Sequence, residues 1–239
     1  MTPFEATMTP TPDSLAQLQL EAIRAALGGS SLDRYRFAFR SLSRLLSDTS
    51  DTGQVLALAI ALNGPHFSRV WFEVASDEEG ARVLRQRPNL DGSGVDRDAL
   101  RRLPEGTLGR EYVRFIDKNG LDGDFFQAPP GVPEDVAYLS KRLRQAHDVW
   151  HAVTGYSPSV RDELALQAFT WAQLGVPHAK LVVVGGFLRF AWGDRKLFGH
   201  IVRGYRRGKK ARAFAPAHWE TRWEMPLRDV QAEFGVEPV

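Results

Sequence analysis

The stretch RLRQAHDVWHAVTGYSPSVRDE, residues 142–163, predicts two helices joined by a short turn. Around its first half, apolar residues recur at alternating steps of three and four, the pattern of a helix with one stripe facing a core; they are Val136, Leu139, Leu143, Ala146, Trp150 and Val153. Gly155 suits the C-cap of this helix. Ser157-Pro158-Ser159 starts a second helix, apolar nearly all round from Val160 to Leu174, as in a buried central helix. The sequence therefore predicts an antiparallel helical hairpin.

Four side chains of this hairpin are candidate metal ligands. His147 and His151 lie one helical turn apart, and Asp148 stands three residues before His151, so all three fan over one flank. His151 and Glu163 are each four residues from the turn, roughly 6 Å along the helix axis, which brings them level. The spacing predicts one divalent ion held by His147, Asp148, His151 and Glu163.

Taken singly, each of these residues has an ordinary explanation, such as a surface histidine, a solvated Asp148, or a Glu163 favoured by the helix dipole. Together they favour a metal, because burying the Glu163 carboxylate alone in so apolar a helix would cost several kcal/mol. Nitrogen and oxygen ligands accept zinc, manganese or ferrous iron, so the ligand set does not name the ion. The chain has no cysteine, which excludes thiolate sites and disulfides.

Helical signals also recur outside the hairpin. With 239 residues, 43% of them hydrophobic, the chain can bury a single core. We expect an all-α fold, a single compact multi-helix domain over residues 14–239 that contains the metal-binding helical hairpin, after a disordered tail at residues 1–13. In the first half of the chain we predict a helix capped by Pro12-Asp13-Ser14 and ending at Gly28-Gly29, a helix over Leu32 to Leu46, and apolar segments Gln54 to Leu62 and Phe67 to Val74 separated by Asn63-Gly64-Pro65. Further along we predict a helix over Glu78 to Arg87, a loop from Asn89 to Asp96, a helix over Leu108 to Lys118, a break at Pro129-Pro130-Gly131, and a helix end at Pro177.

Charge and hydropathy narrow the classes of partner. The net charge of +2 indicates no partner by itself, and with no recognisable binding module it argues against nucleic acid. The six cations between Arg203 and Arg212 could attract anionic lipid headgroups, or form a solvated helix end. The apolar run Leu181 to Trp192 is too short to span a bilayer; it could line an isoprenoid channel, lie against lipid or pack as a core helix. Residues 1–12 lack signal-peptide and transit-peptide features, so we expect a cytoplasmic protein.

The run from Arg142 to Tyr156 followed by Glu163 resembles the ubiquinone (coenzyme Q) biosynthesis protein four family, which carries HDxxH, eleven residues and then E. Other pieces agree: Leu103 to Gly109 with Tyr112, the Gln173 to Pro177 helix end, and the Trp-rich tail from Trp219 to Val236. The likeness covers about Leu103 to Val236 and is strongest at the motif.

This resemblance implies an all-helical protein, often a homodimer, attached peripherally to the inner face of the membrane and working with other quinone-biosynthesis proteins. It implies zinc bound through His147, Asp148, His151 and Glu163, the same residues serving catalysis. The implied ligand is a polyprenylated aromatic acid or other isoprenoid lipid. The implied chemistry is removal of the ring carboxyl carbon with hydroxylation at that position, an oxidative decarboxylation. We expect the ion to hold the carboxylate head while the tail lies in an apolar groove.

The same residues are also compatible with two alternative functions. In the first, the protein is a non-catalytic lipid-binding scaffold whose metal ties the hairpin together. In the second, it is a metal-dependent hydrolase, because the motif is similar to the HExxH helix and to His-Asp phosphohydrolases. Asp148 is one methylene short for the HExxH base, and the phosphohydrolase requires a further His and Asp, for which His66 and Asp194 are the candidates.

Overall fold

The computed structural model describes residues 12–27, 30–49, 51–121, 133–237 and 239. Within these ranges the chain forms α-helices and one short 3-10 helix, and it contains no β-strand, which confirms the all-α prediction of a single compact domain. The α-helices are α1 Pro12–Leu27, α2 Ser31–Ser47, α3 Thr52–Ser76, α4 Glu78–Gln86, α5 Arg97–Arg101, α6 Leu108–Asn119, α7 Glu134–Thr154, α8 Val160–Leu174, α9 Pro177–Phe190, α10 Leu197–Lys210 and α11 Leu227–Phe234, and the 3-10 helix is Trp219–Arg222.

The central hairpin consists of α7 and α8. Gly155 ends α7 in the left-handed conformation, with φ of +80°, where any other residue would be strained. Ser159 caps α8 by accepting a hydrogen bond from the backbone N–H of Asp162 at 3.3 Å. Trp150 of α7 and Phe169 of α8 are fully buried in the main core. The predicted hairpin and its cap residues are confirmed.

Helix α10 lies directly against α8. A Cβ atom added at Gly208 would come 2.6 Å from the carbonyl oxygen of Phe169, and one at Gly204 would overlap the carbonyl oxygen of Ala165. These two glycines, one turn apart, let the backbones of the two helices approach closely. Helix α8 is therefore covered by α9 and α10, and its Phe169 meets Trp150 of α7 edge-on, as its apolar composition predicts.

The structure corrects the sequence prediction at Asn63-Gly64-Pro65, because α3 runs through it as one helix of 25 residues. A proline inside a helix costs about 3 kcal/mol through its missing N–H and its ring. Both halves of α3 bury apolar side chains, and this tertiary packing outweighs the local cost; the buried residues are Leu56, Ala57, Leu58 and Ala61 before the break, and Val70 and Val74 after it.

Two other boundaries differ from the sequence prediction. Helix α8 ends at Leu174 because Gly175 adopts a left-handed conformation, whereas Pro177, predicted to end α8, begins α9 with its φ already suited to a first turn. The short helix α5 was not predicted. The predicted breaks at Gly28-Gly29 and Pro129-Pro130-Gly131 lie outside the described residues, as do residues 1–11, and helix α1 begins at Pro12. The division into tail and domain stays a prediction.

The Trp-rich tail packs back onto α7. Phe214 makes edge contacts with Trp150, at 5.5 Å between ring centroids, and with Trp219 and Phe234. These aromatic side chains extend the core that supports the buried side of α7. None of the described helices is long and apolar enough to cross a membrane.

Candidate metal centre

The α7–α8 hairpin brings three of the four predicted ligands together. His147, His151 and Glu163 each offer a nitrogen or oxygen atom within 4.8 Å of the others. The closest pair is His151 Nε2 and Glu163 Oε1, 3.0 Å apart. Glu163 therefore lies level with His151 across the turn, as the residue spacing predicts.

The ring of His151 is held in one orientation. Its Nδ1 lies 2.9 Å from the backbone carbonyl oxygen of Tyr156, so Nδ1 carries a proton and donates it. Phe115 of α6 stacks on the ring at 4.8 Å between centroids. A histidine that donates one ring N–H to a carbonyl presents the other nitrogen as a metal ligand. For His151 that nitrogen is Nε2, the atom facing Glu163.

His151 and Glu163 form an ion pair when no metal is bound. Burial disfavours the charged imidazole, but the hydrogen bond to Glu163 and its negative charge outweigh burial and raise the pKa of His151. Burial alone would likewise raise the pKa of Glu163, yet the bond from His151 and the two nearby imidazoles lower it. A cation at this point replaces the proton on Nε2, because a ligating imidazole must be neutral there.

His147 contains an unsatisfied buried nitrogen. Among the described residues its Nε2 has no hydrogen-bond partner. Burial, with the charge of His151, lowers the pKa of His147 to about 4, so the ring is neutral and its lone pair is free near pH 7. A buried polar atom without a partner costs about 1–3 kcal/mol, and a metal ion is one partner that removes this cost.

Asp148 lies beside this group rather than within it. It is not among the three residues that converge, although its charge interacts with both His151 and Glu163. Burial raises the pKa of Asp148 to about 6, and the negative charge of Glu163 acts in the same direction. Its assignment as a fourth ligand stays a prediction, and an ion at the site would favour its ionised form.

The donor set fits a divalent cation with a small adjustment. Donors around a tetrahedral zinc ion are about 3.3 Å apart at bond lengths near 2.0–2.1 Å. The 3.0 Å pair already meets this spacing, and the widest separation of 4.8 Å requires a movement of about 1.5 Å at one side chain. Two imidazoles and a carboxylate form a zinc-type set, which ferrous iron and manganese also accept.

A second polar group lies near the first, and sequence reasoning missed it. His178, in the first turn of α9, lies 2.7 Å through its Nδ1 from the side-chain nitrogen of Asn63 in α3. Burial, together with the positive charge of Arg144, lowers the pKa of His178 to about 3. Arg144 stands three residues before His147 on α7. The position of Arg144 on the histidine flank of α7 was a readable signal, but the Asn63–His178 contact joins residues 115 positions apart.

The two residues that a phosphohydrolase would require lie elsewhere. His66 is exposed on α3, and Asp194 pairs with Arg161 at 2.5 Å. Neither belongs to the three-residue group. The geometry gives this alternative no support.

Fold and site together define a class: helical proteins in which two imidazoles and a carboxylate converge from a buried hairpin. The family model of the Coenzyme Q (ubiquinone) biosynthesis protein Coq4 matches residues 28–239, and the chain belongs to this family. It is 32% identical over 194 residues to a ubiquinone biosynthesis protein COQ4, mitochondrial, of Coprinopsis cinerea, covering 80% of this chain and 67% of that protein. It is 33% identical over 170 residues to the Mus musculus COQ4 homolog, mitochondrial, covering 70% and 64%. The chain thus spans about two thirds of these relatives.

A solved structure has the same fold. It is the crystal structure of a putative ubiquinone biosynthesis protein from Nostoc punctiforme, with a TM-score of 0.65 and 24% identity, covering 84% of this chain and 97% of that one. At this identity the likeness concerns the fold alone.

Proposed function

We propose that this protein acts in ubiquinone biosynthesis as a metal-dependent protein that binds polyprenylated ring intermediates. Membership of the Coq4 family supports the pathway. The observation that carries the metal-dependent part is the convergence of His147, His151 and Glu163 within 4.8 Å, with an unpaired nitrogen on His147. The ligands we propose are these three together with Asp148, and zinc is the metal, with ferrous iron or manganese as substitutes.

The reaction we propose is removal of the ring carboxyl carbon with hydroxylation at that position. The ring carbon loses CO₂ and gains a hydroxyl group, so the substrate is oxidised by two electrons. Zinc would supply Lewis-acid polarisation and no electrons, so the two electrons go to dioxygen or another two-electron acceptor, and the hydroxyl oxygen comes from dioxygen or water. A redox-active metal would relay the electrons to that acceptor but would not replace it. Without metal, the His151–Glu163 pair holds a proton at His151 Nε2; metal binding would release that proton and favour the ionised form of Asp148.

The non-catalytic scaffold is the alternative. A structural metal site is closed, with every ligand in place before substrate arrives. Here His147, Asp148 and Glu163 all keep partial exposure, although burial is the largest single influence on the pKa of each, and we infer that they line a cleft. An accessible cleft favours ligand binding at the metal over a purely structural role.

Substitution of single ligands tests the metal assignment. We expect purified wild-type protein to retain about one equivalent of metal by elemental analysis, and His147→Ala and Glu163→Gln to retain little. Asp162→Asn is the matched control, because this carboxylate precedes Glu163 but pairs with His200 at 2.7 Å. The same variants should lose quinone synthesis in cells that lack their own copy. Full metal content and full quinone synthesis in His147→Ala would refute the proposal.

Turnover separates the enzyme from the scaffold. The enzyme converts a short-chain prenylated aromatic acid to the hydroxylated product with release of CO₂, when metal and an oxidant are supplied. The scaffold binds the same acid, shows no product, and unfolds when the metal is chelated. Mass spectrometry of the products and thermal melting with chelator distinguish these outcomes.

We further propose that the protein attaches to a membrane surface through α9, α10 and the turn between them. Leu188, Trp192 and Phe198 are exposed there, Trp192 to 96%. Residues 180–212 contain ten of the 31 Lys and Arg residues but one of the 29 Asp and Glu residues. That acid, Asp194, is already paired with Arg161. Apolar side chains surrounded by cations suit an anionic lipid surface.

A groove beside α10 extends this surface. It has a volume of about 590 Å³ and is lined by Phe198, Val202, Arg203, Arg206 and Lys210, among others. The opposite face of α9 packs inside, since a Cβ atom on Gly185 would touch Leu42 at 3.0 Å. Helix α9 thus combines two of the roles its apolar run suggests, packing in the core on one face and facing lipid on the other.

Vesicle sedimentation tests the attachment. We expect binding to vesicles with 30% phosphatidylserine, weaker binding in high salt, and little binding to neutral phosphatidylcholine. Trp192→Ser should weaken the binding several-fold, whereas Phe72→Ser should not, because Phe72 is 64% exposed but lies on α3, outside the proposed surface. Equal loss in both variants would contradict the assigned surface.

The proposed association with the inner face of a membrane, in the cytoplasm, and with other quinone-biosynthesis proteins rests on the family resemblance. For a homodimer, the exposed side chains Leu32, Tyr35 and Phe39 lie along one face of α2 and provide an apolar surface. Light scattering of the wild type and Phe39→Ser tests this pairing: we expect a dimer that the substitution dissociates.

A further inference from the structure

Arg144 is a partly accessible cation that has no partner among the described residues. Among the described residues no acceptor or carboxylate lies within hydrogen-bonding or ion-pair distance of its guanidinium. Burial is the cause that lowers the pKa of Arg144, to about 9. Its neighbour Arg142, two residues earlier on α7, is bonded through both terminal nitrogens to Glu220. Arg144 is only partly exposed, and a cation in such surroundings is ordinarily paired, so the lack of a described partner points to a ligand.

The cleft places Arg144 beside the proposed metal. Residues 144, 147 and 151 follow the spacing i, i+3 and i+7, which is a single flank of α7. Arg144 and His147 are both partly accessible, whereas Gln145, Ala146, Val149 and Trp150 on the other side are buried. His147 follows Arg144 by three residues, about 4.5 Å along the helix axis. A single aromatic ring can span that distance.

His178 adds a neutral donor to this end of the cleft. The side-chain oxygen of Asn63 accepts from the backbone N–H of His178 at 3.3 Å, so the group 2.7 Å from His178 Nδ1 is the Asn63 amide nitrogen, a donor. Nδ1 therefore accepts, and the proton of the neutral ring is on Nε2. Among the described residues that N–H has no acceptor. Arg144 and His178 together form a donor-rich site with no acidic side chain acting on either charge.

We propose that Arg144, supported by His178, is an oxyanion-binding site separate from the metal ligands. The planar guanidinium matches two oxygens of a carboxylate or phosphate. The identity of the ligand rests on the proposed function: the ring carboxylate of the aromatic acid binds Arg144, and the ring reaches towards His147. The metal then faces the ring rather than serving as the only holder of the carboxylate.

Binding of small anions to metal-free protein tests the site without the reaction. By NMR titration we expect 4-hydroxybenzoate to bind at least ten-fold more tightly than 4-hydroxybenzamide. Arg144→Met should abolish this preference and Arg144→Lys should keep part of it. Arg228→Met, which removes a cation that is 86% exposed, should leave it unchanged. If inorganic phosphate shows the Arg144-dependent affinity instead, the site binds an oxyanion from a phosphate ester. If neither anion loses affinity in Arg144→Met, the proposal is overturned.

Thermal melting distinguishes a binding residue from a structural one. Without ligand, Arg144→Met should melt at or above the wild-type temperature, because the substitution breaks no hydrogen bond or ion pair with a described residue. Misfolding, or a melting temperature well below that of the wild type, would contradict the proposal. Zinc retention should be unchanged in Arg144→Met. A wild-type protein that holds no metal but binds the benzoate through Arg144 would refute the proposed metal function and leave this site standing.

Discussion

Two regions of this protein treat their cationic and imidazole side chains differently: one pairs them, and the other leaves two of them without a hydrogen-bond partner among the described residues. Beneath the C-terminal segment, Arg222 donates to both Glu79 and Glu233, with bonds of 3.1 Å from Nη2 to Glu79 and of 3.0 Å from Nε to Glu233. Close by, Arg142 is bonded to Glu220. In the α7–α8 cleft, by contrast, His147 and Arg144 have no partner among the described residues.

The difference indicates that one region stabilises the fold and that the other is suited to bind a ligand. Ion pairs whose donors and acceptors are all used fix the C-terminal segment against α7 and α4. Leaving a donor or lone pair unpaired in a buried place costs stability, so such groups are expected where a ligand supplies the partner.

The strongest contrast is between two arginines on the same helix. Arg142→Met leaves Glu220 without its main partner, and we expect a loss of about 3–5 kcal/mol in the free energy of unfolding. Arg144→Met should lose none. Urea denaturation of the two variants at pH 7 provides the measurement. Equal destabilisation would show that both arginines serve structure and would remove the contrast.

Metal should stabilise the cleft without creating the fold. At free zinc 100 times the dissociation constant, we expect the free energy of unfolding to rise by about 2.7 kcal/mol. This increase should vanish in Glu163→Gln. Chelated protein should keep its helical circular dichroism, because the main core is formed by side chains outside the metal group. Loss of helicity on chelation would instead favour the scaffold with a structural metal.

Acid should weaken the cleft through His178. The pKa of this histidine is about 3 in the folded protein against about 6.5 when unfolded, so between these values the unfolded state binds more protons. Stability is therefore lost as pH falls from 6.5 towards 3, by up to about 1.4 kcal/mol per pH unit. His178→Gln should reduce this slope in urea titrations of metal-free protein, and His147, with its pKa lowered to about 4, should account for a remaining slope. An unchanged slope would mean that His178 is already solvated.

The smallest effect is expected at Asn63. Asn63→Ala removes the acceptor for the His178 backbone N–H and the donor to its ring, and we expect a loss of about 1 kcal/mol. Asn63→Asp should restore the acceptor but also pair with the nearby cation, and so reduce benzoate binding at Arg144. If Asn63→Asp binds benzoate as well as the wild type, Asn63 does not belong to the oxyanion site.

Local sequence signals predicted the hairpin and three of its converging residues. Apolar periodicity predicted which side of α7 is buried, and Gly155 predicted the turn. Because His151 and Glu163 are each four residues from that turn, their equal spacing predicted that they lie level. Each of these steps involves residues within about twenty positions of each other, where helix geometry alone gives the answer.

The remaining features depend on contacts between distant segments. Asn63-Gly64-Pro65 has the composition of a break, but packing on both halves of α3 keeps it helical. The placement of Asn63 against His178 depends on how α3 meets α9, and nothing in either local sequence indicates it. Nor could the sequence predict that Arg144 lacks a partner among the described residues, because the pairing of a charge depends on which distant segments pack beside it.

Anomalous diffraction at the zinc edge, from crystals of the zinc-loaded protein, tests the central claim most directly. We predict one peak about 2.0–2.2 Å from a nitrogen of His147, Nε2 of His151 and a carboxylate oxygen of Glu163. A zinc peak away from the hairpin, or a Glu163 side chain turned out of the cleft in that crystal, would contradict the account.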